Sequence, residues 1–121
     1  MSVQILNAAD GLMTVRFAGK LSRPELVKAQ SEAAEILRQQ GKMRVLVLTD
    51  TFAGWEKEGD WGDLSFQSEN DQHMEKIAIV GDKKWELLII LFAGKGFRRS
   101  PVEFFPTSEL AKARAWLAAT P

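Results

Sequence analysis

The sequence contains no cysteine, a single histidine and no excess of either charge. Without cysteine the chain can form no disulfide, no thiolate metal site and no thiol nucleophile. Its 16 basic and 16 acidic side chains cancel. This balance argues against a nucleic-acid-binding protein, because affinity for phosphate rests on a surplus of lysine and arginine.

Long apolar segments are also missing. The longest apolar run, residues 87–93, is far shorter than the ~20 residues that span a bilayer. The first ten residues lack the charged and apolar regions of a signal peptide. We therefore expect a cytoplasmic protein. The 45% apolar and 26% charged residues are typical of a globular chain, and 121 residues suffice for one domain over residues 1–121.

Hydrophobic patterning predicts the element order β-β-α-β-α-β-α-β-α. Alternation at residues 3–17 predicts an antiparallel hairpin, and residues 43–49 are apolar enough for a central strand covered on both faces. Residues 50–59 are interpreted as a loop, followed by a short helix over residues 60–71. The prediction is an α/β fold whose mixed, mostly parallel sheet carries the N-terminal hairpin and about four helices.

Six short phrases occur in a specific order along the chain: AGKLS (18–22), GKMRVL (41–46), FAGWE (52–56), IAIVGDKKW (77–85), VEFF (102–105) and ARAWL (113–117). Together they resemble the SpoIIAA-like group of small bacterial proteins. That group is allied to the STAS domain (sulfate transporter and anti-sigma factor antagonist) and is compared with lipid-binding CRAL-TRIO (Sec14-type) domains. The resemblance covers nearly the whole chain and implies a single STAS-like domain. It implies no defined activity, since fold does not dictate function.

The resemblance also raises the question of a phosphorylation switch. Anti-sigma factor antagonists carry a phosphorylatable serine in an Asp-Ser-(Ser)-Gly-Leu turn after the central strand. Here the corresponding stretch is TDTFAG at 49–54, and no such turn is present. Thr51 is the nearest hydroxyl, but an Asp-Thr pair before a loop is more often ordinary turn chemistry, which is the preferred interpretation.

No arrangement in the sequence supports catalysis or a cofactor. His73 has Glu69, Asp71 and Glu75 nearby, but zinc and iron sites usually need two or more imidazoles or thiolates. There is no Gly-x-Ser-x-Gly elbow, and the GKG at 94–96 is not a Walker loop. We expect a protein that is not an enzyme and holds no metal or cofactor.

The segment at residues 84–93 carries the most information. As a helix it would be hydrophobic almost all round, so both of its sides need cover. The cover could be another part of the same chain, a second subunit, an apolar ligand or a membrane surface. The run could also be a strand, since short apolar runs are ambiguous by periodicity.

Two candidate sites follow from this segment. The first is a dimer interface in which the outward arc of the helix is flanked by basic and aromatic residues: Leu87, Ile90, Leu91, Lys95, Phe97, Arg98 and Arg99. The same bases and rings would also suit peripheral contact with an anionic membrane. The second is an apolar pocket walled by aromatic residues: Trp55, Trp61, Phe66 and Trp85. The preferred interpretation of these rings is that they cover one end of the core, because tryptophans usually bury most of their surface.

The sequence therefore supports two functional hypotheses. The preferred one is a non-enzymatic regulatory or interaction module that forms a homodimer through the apolar helix. The alternative is a binding or carrier protein for a lipid-like apolar small molecule. A small enzyme is the third and least supported hypothesis.

Overall fold

The structure, a computed structural model, describes residues 3–57, 73–93 and 100–119. It contains five strands and three α-helices in these ranges. The strands are β1 (Val3–Ala9), β2 (Leu12–Leu21), β3 (Met43–Trp55), β4 (Met74–Gly81) and β5 (Val102–Pro106). The helices are α1 (Arg23–Gln40), α2 (Glu86–Ala93) and α3 (Leu110–Ala118), and short 3-10 turns precede α2 and α3.

The five strands form one mixed sheet in the order β1-β2-β3-β4-β5. The hairpin β1–β2 is antiparallel, whereas β2, β3, β4 and β5 run parallel to their neighbours. The predicted α/β fold with an N-terminal hairpin is confirmed. The helix predicted over residues 60–71 lies outside the described residues.

Strand β3 is longer than the sequence suggests. Residues 50–55 were predicted as part of a loop, and that prediction is wrong, because β3 continues to Trp55. Strand β2 is itself ten residues long, and its final part pairs with β3 at Gly19↔Phe52 and Leu21↔Trp55. This extended partner satisfies the backbone of β3 well beyond its apolar half, which a local hydrophobicity pattern cannot reveal.

The sheet buries an apolar core on each face. On one face α1 and α2 cover the larger core, where Leu26 and Leu37 of α1 and Ile89 of α2 meet the buried residues of the strands. On the other face α3 packs Ala113 and Leu117 against Leu46 and neighbouring residues of β3 and β4. Consecutive residues of β3 therefore point into different cores, as the two-residue period of a strand requires.

Basic side chains from the sheet bind the carboxyl-terminal end of α3. Lys76 Nζ donates to the carbonyl oxygens of Trp116 at 2.8 Å and Ala119 at 2.9 Å. The same ammonium lies 4.9 Å from the centre of the Trp116 ring, and Arg44 donates to the Leu117 carbonyl oxygen. Cations at this position satisfy the free carbonyls of the helix end and interact favourably with its dipole.

Both edges of the described sheet carry interruptions. The pairing of β1 with β2 shifts register between Ile5 and Asn7, which is the signature of a β-bulge. At the other edge β5 has only five residues, follows Pro101 and ends at Pro106. Proline has no N–H to offer to a further strand.

Strands β3 and β4 make a close contact at the carboxyl end of β4. Thr49 is paired with Gly81 and its hydroxyl donates to the Val80 carbonyl oxygen at 2.9 Å. A Cβ atom on Gly81 would lie 1.9 Å from the Thr49 Oγ1 atom. Glycine is therefore required here by space, because Thr49 fills the position that a side chain would take.

We predict that Gly81→Ala lowers the free energy of unfolding by about 1–3 kcal/mol, the range for overpacking a buried site. Urea denaturation followed by circular dichroism would measure the loss. The matched control is the double variant Gly81→Ala with Thr49→Ala, in which the clash is absent. Its destabilisation should be smaller than the sum of the two single effects. Additive effects would contradict the proposed clash.

Candidate functional site

Three aromatic rings meet near the carboxyl end of β3. Phe52 lies between the two indoles, with its ring centre 4.9 Å from that of Trp55 and 5.3 Å from that of Trp85. The two indole centres are 6.3 Å apart, and all three pairs meet edge to face. This is the favoured geometry for aromatic rings, because the positive edge of one meets the negative face of another.

Gly54 makes this cluster possible. Its φ of 106° lies in the region that favours glycine. A Cβ atom there would stand 3.3 Å from the Trp85 ring, so the ring packs directly against the backbone of β3. The unusual backbone also interrupts strand alternation, and consequently Phe52 and Trp55 reach the same core although they are three residues apart.

The cluster contains half of the aromatic residues predicted to wall a pocket. Trp55 and Trp85 are brought together, whereas Trp61 and Phe66 lie outside the described residues. Sequence reasoning missed Phe52 as a member, because it was interpreted as a loop residue. The FAGW phrase carried the signal, since glycine between two aromatic residues commonly marks a close backbone approach.

Beside this cluster, between the sheet and α1 and α2, lies a cavity of about 140 Å³. Its described lining is apolar apart from the side chains of Gln30 and Thr49, and it includes Phe52 and Trp55. Helix α1 passes over the cavity with alanines at positions 29 and 33. These small side chains do not fill the gap between helix and sheet, and the cavity is the result.

Helix α2 has one buried and one exposed side. Ile89 is only 5% exposed, and it lines the cavity together with Ala93. The opposite side exposes three leucines: Leu87 at 71%, Leu91 at 64% and Leu88 at 49%. We call Leu87, Leu88 and Leu91 the leucine face.

The leucine face differs in part from the predicted interface. Leu87 and Leu91 are exposed as expected, but Ile90 is half-buried and Leu88 takes its place. The remaining predicted interface residues, Lys95, Phe97, Arg98 and Arg99, lie outside the described residues. Two other bases, Lys83 and Lys84, are exposed directly before α2, with the Lys84 ammonium 5.9 Å from the centre of the Trp85 ring.

Titratable side chains form no evident reaction centre in the part of the chain that the structure describes. His73 is half-buried just before β4. Within residues 3–57, 73–93 and 100–119, no three His, Asp or Glu side chains are grouped so that they could hold a metal ion. In the same ranges no helix has the length and apolar character needed to cross a membrane. Thr51 is an exposed residue of β3.

The sheet order and the placement of helices on both faces define a small α/β protein in which one antiparallel hairpin adjoins a parallel sheet. The model of the SpoIIAA-like family matches residues 12–118. The chain belongs to the SpoIIAA-like family, which confirms the resemblance seen in its sequence phrases. The further likeness to CRAL-TRIO domains stays a prediction.

A solved structure supports the same fold. It is the crystal structure of an uncharacterised protein of the DUF3478 family, with a SpoIIAA-like fold, from Shewanella loihica PV-4. The two chains share 18% identity with a TM-score of 0.72, and the match covers 96% of this chain and 92% of the other. A comparison with curated proteins gives no match. At this identity the likeness concerns the fold alone.

The aromatic cluster yields a stability prediction. We expect Phe52→Leu to lower the free energy of unfolding by about 1–2 kcal/mol, because a buried ring and its two edge-to-face contacts are lost. The near-ultraviolet circular dichroism of the tryptophans should also change. Phe105→Leu is the matched control, since Phe105 contacts Trp116 on the other face, with ring centres 6.0 Å apart. Identical spectral changes in both variants would argue against coupled rings at Phe52.

Proposed function

We propose that this protein is a non-enzymatic interaction module that forms a homodimer through the leucine face of α2. The observation that carries the proposal is the exposure of Leu87, Leu88 and Leu91 on one helix. Scattered apolar side chains are normal on a protein surface, but a contiguous apolar patch marks an interaction site. A regulatory role and the cytoplasmic location expected from the sequence stay predictions.

The helix that carries the leucine face is anchored to the core on its other side. Ile89 anchors the opposite side of α2 in the core, and Trp85, at the end of the preceding 3-10 turn, packs against Gly54. A helix whose backbone is already folded and anchored has little backbone entropy left to lose on association. Leu87 and Leu91 are four residues apart and thus lie one turn apart on the helix.

A second copy of the chain is the simplest partner for such a patch. In a two-fold dimer each leucine face would meet the same face of its partner, so a self-complementary apolar surface suffices. Lys83 and Lys84 would lie at the polar rim, where charges remain hydrated. An eight-residue helix buries a small area, so we expect affinity in the micromolar class.

The decisive variant is Leu91→Glu. Leu91 is 64% exposed within one subunit, so a carboxylate there should leave the monomer folded. In a dimer the same carboxylate would be buried without a partner, and we expect the dissociation constant to rise about tenfold or more. Sedimentation velocity over a concentration series from one to several hundred micromolar would measure the change.

Two control variants separate association from folding. Val27→Glu places the same charge at a 44%-exposed apolar residue of α1 and should leave the dissociation constant unchanged. Ile89→Glu puts the charge into the core and should unfold the protein. If the wild-type protein remained a monomer throughout the concentration series, the proposed homodimer would be refuted. If that monomer co-sedimented with vesicles of anionic phospholipid, the leucine face would instead be assigned to membrane binding.

A further inference from the structure

We propose that the cavity beneath α1 and α2 is a binding site for a small, uncharged, apolar molecule the size of one aromatic ring. The cavity lies on the side of α2 that carries Ile89, opposite the leucine face. Its occupancy can therefore be tested independently of dimer formation. The site also narrows the carrier hypothesis from a lipid-like molecule to a much smaller one.

The cavity is partly open, and its volume indicates the size of the group that it can bury. The cavity measures about 140 Å³. An engineered apolar cavity of about 150 Å³ in another protein remains free of water and accepts benzene or xenon. A single ring, or a chain of about six carbons, is therefore the matching size. A complete lipid acyl chain would need additional space.

The lining sets the chemical class. None of the described residues that line the cavity is charged. An ionised ligand would lose its hydration without gaining a counter-charge, which is strongly unfavourable. Phe52 and Trp55 supply aromatic surface, and pairs of rings gain contact energy beyond the area that they bury. The lining thus favours an aromatic ring over an ion or a sugar.

Two polar side chains allow one polar group on the ligand. The Thr49 hydroxyl already donates its proton to the Val80 carbonyl oxygen, so its oxygen can still accept a hydrogen bond. The Gln30 amide can both donate and accept. A phenol or a simple aromatic amide would satisfy these groups, whereas a carboxylate would not.

The cavity persists because α1 carries alanine where it passes over the sheet. Ala29 and Ala33 are one turn apart and both line the cavity. Leucine is nearly as good a helix former as alanine, so a larger side chain would fill the space with little effect on the helix. Protein interiors are normally packed without voids of this size. The two alanines therefore provide a direct way to close the site.

The test uses benzene as the probe on the intact protein with its methyl groups labelled for NMR. Titration up to the solubility of benzene should shift the methyl signals of Ile77, Ile79 and Ile89, which line the cavity. The methyl signals of Leu46 and Leu117, in the other core, should remain in place. At ten times the dissociation constant the midpoint of thermal unfolding should rise by about 3–6 °C. Benzoate, the same ring with a charge, should bind at least about tenfold more weakly.

The matched variants are Ala33→Leu and Ala34→Leu. Ala33→Leu should occupy the cavity and weaken benzene binding about tenfold or more, while thermal stability is kept or raised. Ala34 is the next residue of α1 and lies outside the cavity lining, so Ala34→Leu should bind benzene like the wild type. If Ala33→Leu does not fold, Ala29→Leu makes the same test from the neighbouring turn.

The proposal would be overturned by benzene shifts spread equally over both cores, or by the absence of shifts at the highest concentration. Unchanged benzene binding in a folded Ala33→Leu or Ala29→Leu variant would overturn it too. Equal binding of benzoate and benzene would refute the ligand class. None of these outcomes bears on the sedimentation of the Leu91→Glu variant. The ligand site and the homodimer can therefore be refuted independently of each other.

Discussion

The pairing of β3 with a parallel strand on each side is the constraint on which the rest of the structure depends. Its backbone bonds to β2 along one edge and to β4 along the other, while its side chains enter the two cores alternately. The Thr49–Gly81 contact fits this register, because glycine leaves the space that the Thr49 side chain occupies. In this register the aromatic residues at the end of β3 are placed beside the start of α2.

The two faces of the sheet differ in how completely they are filled. Helix α3 covers one face of the sheet and packs Leu117 into the core there. Lys76 and Arg44 of the sheet hold the carboxyl-terminal end of α3 through hydrogen bonds to its carbonyl oxygens. On the other face the alanines of α1 leave a cavity, and α2 borders it with Ile89. Helix α2 therefore borders the interior space on one side and exposes the leucine face on the other. The proposed dimer interface and the proposed ligand site lie on opposite sides of this helix.

Much of the fold could be predicted from the sequence because each strand carries a local signal. The β-branched runs of β3 and β4 and the alternation of β1 are independent of tertiary context. The second half of β3 could not be predicted in this way. Phe52, Gly54 and Trp55 read as a loop, and only pairing with the distant end of β2 keeps them extended. Non-local hydrogen bonding here overrides local composition.

The candidate site was less predictable than the fold. Helical periodicity placed Leu87 and Leu91 on one arc, and the structure agrees, but an eight-residue helix offers too few turns to decide between Leu88 and Ile90. Ile89 determines the orientation because it reaches the core. The cavity has no signature in the sequence at all, since an alanine in a helix is ordinary. Its existence depends on the distance between α1 and the sheet.

The interruptions at the two sheet edges have a consequence for assembly. A bulge in β1 and the prolines that bound β5 interrupt the rows of backbone donors and acceptors at the two described edges. Copies of the chain are thereby discouraged from joining sheet to sheet, a mode that has no natural end and leads to fibres. The proposed two-fold pairing of leucine faces would, in contrast, close after a single pairing. A protein of this design can expose leucines and still form assemblies of limited size.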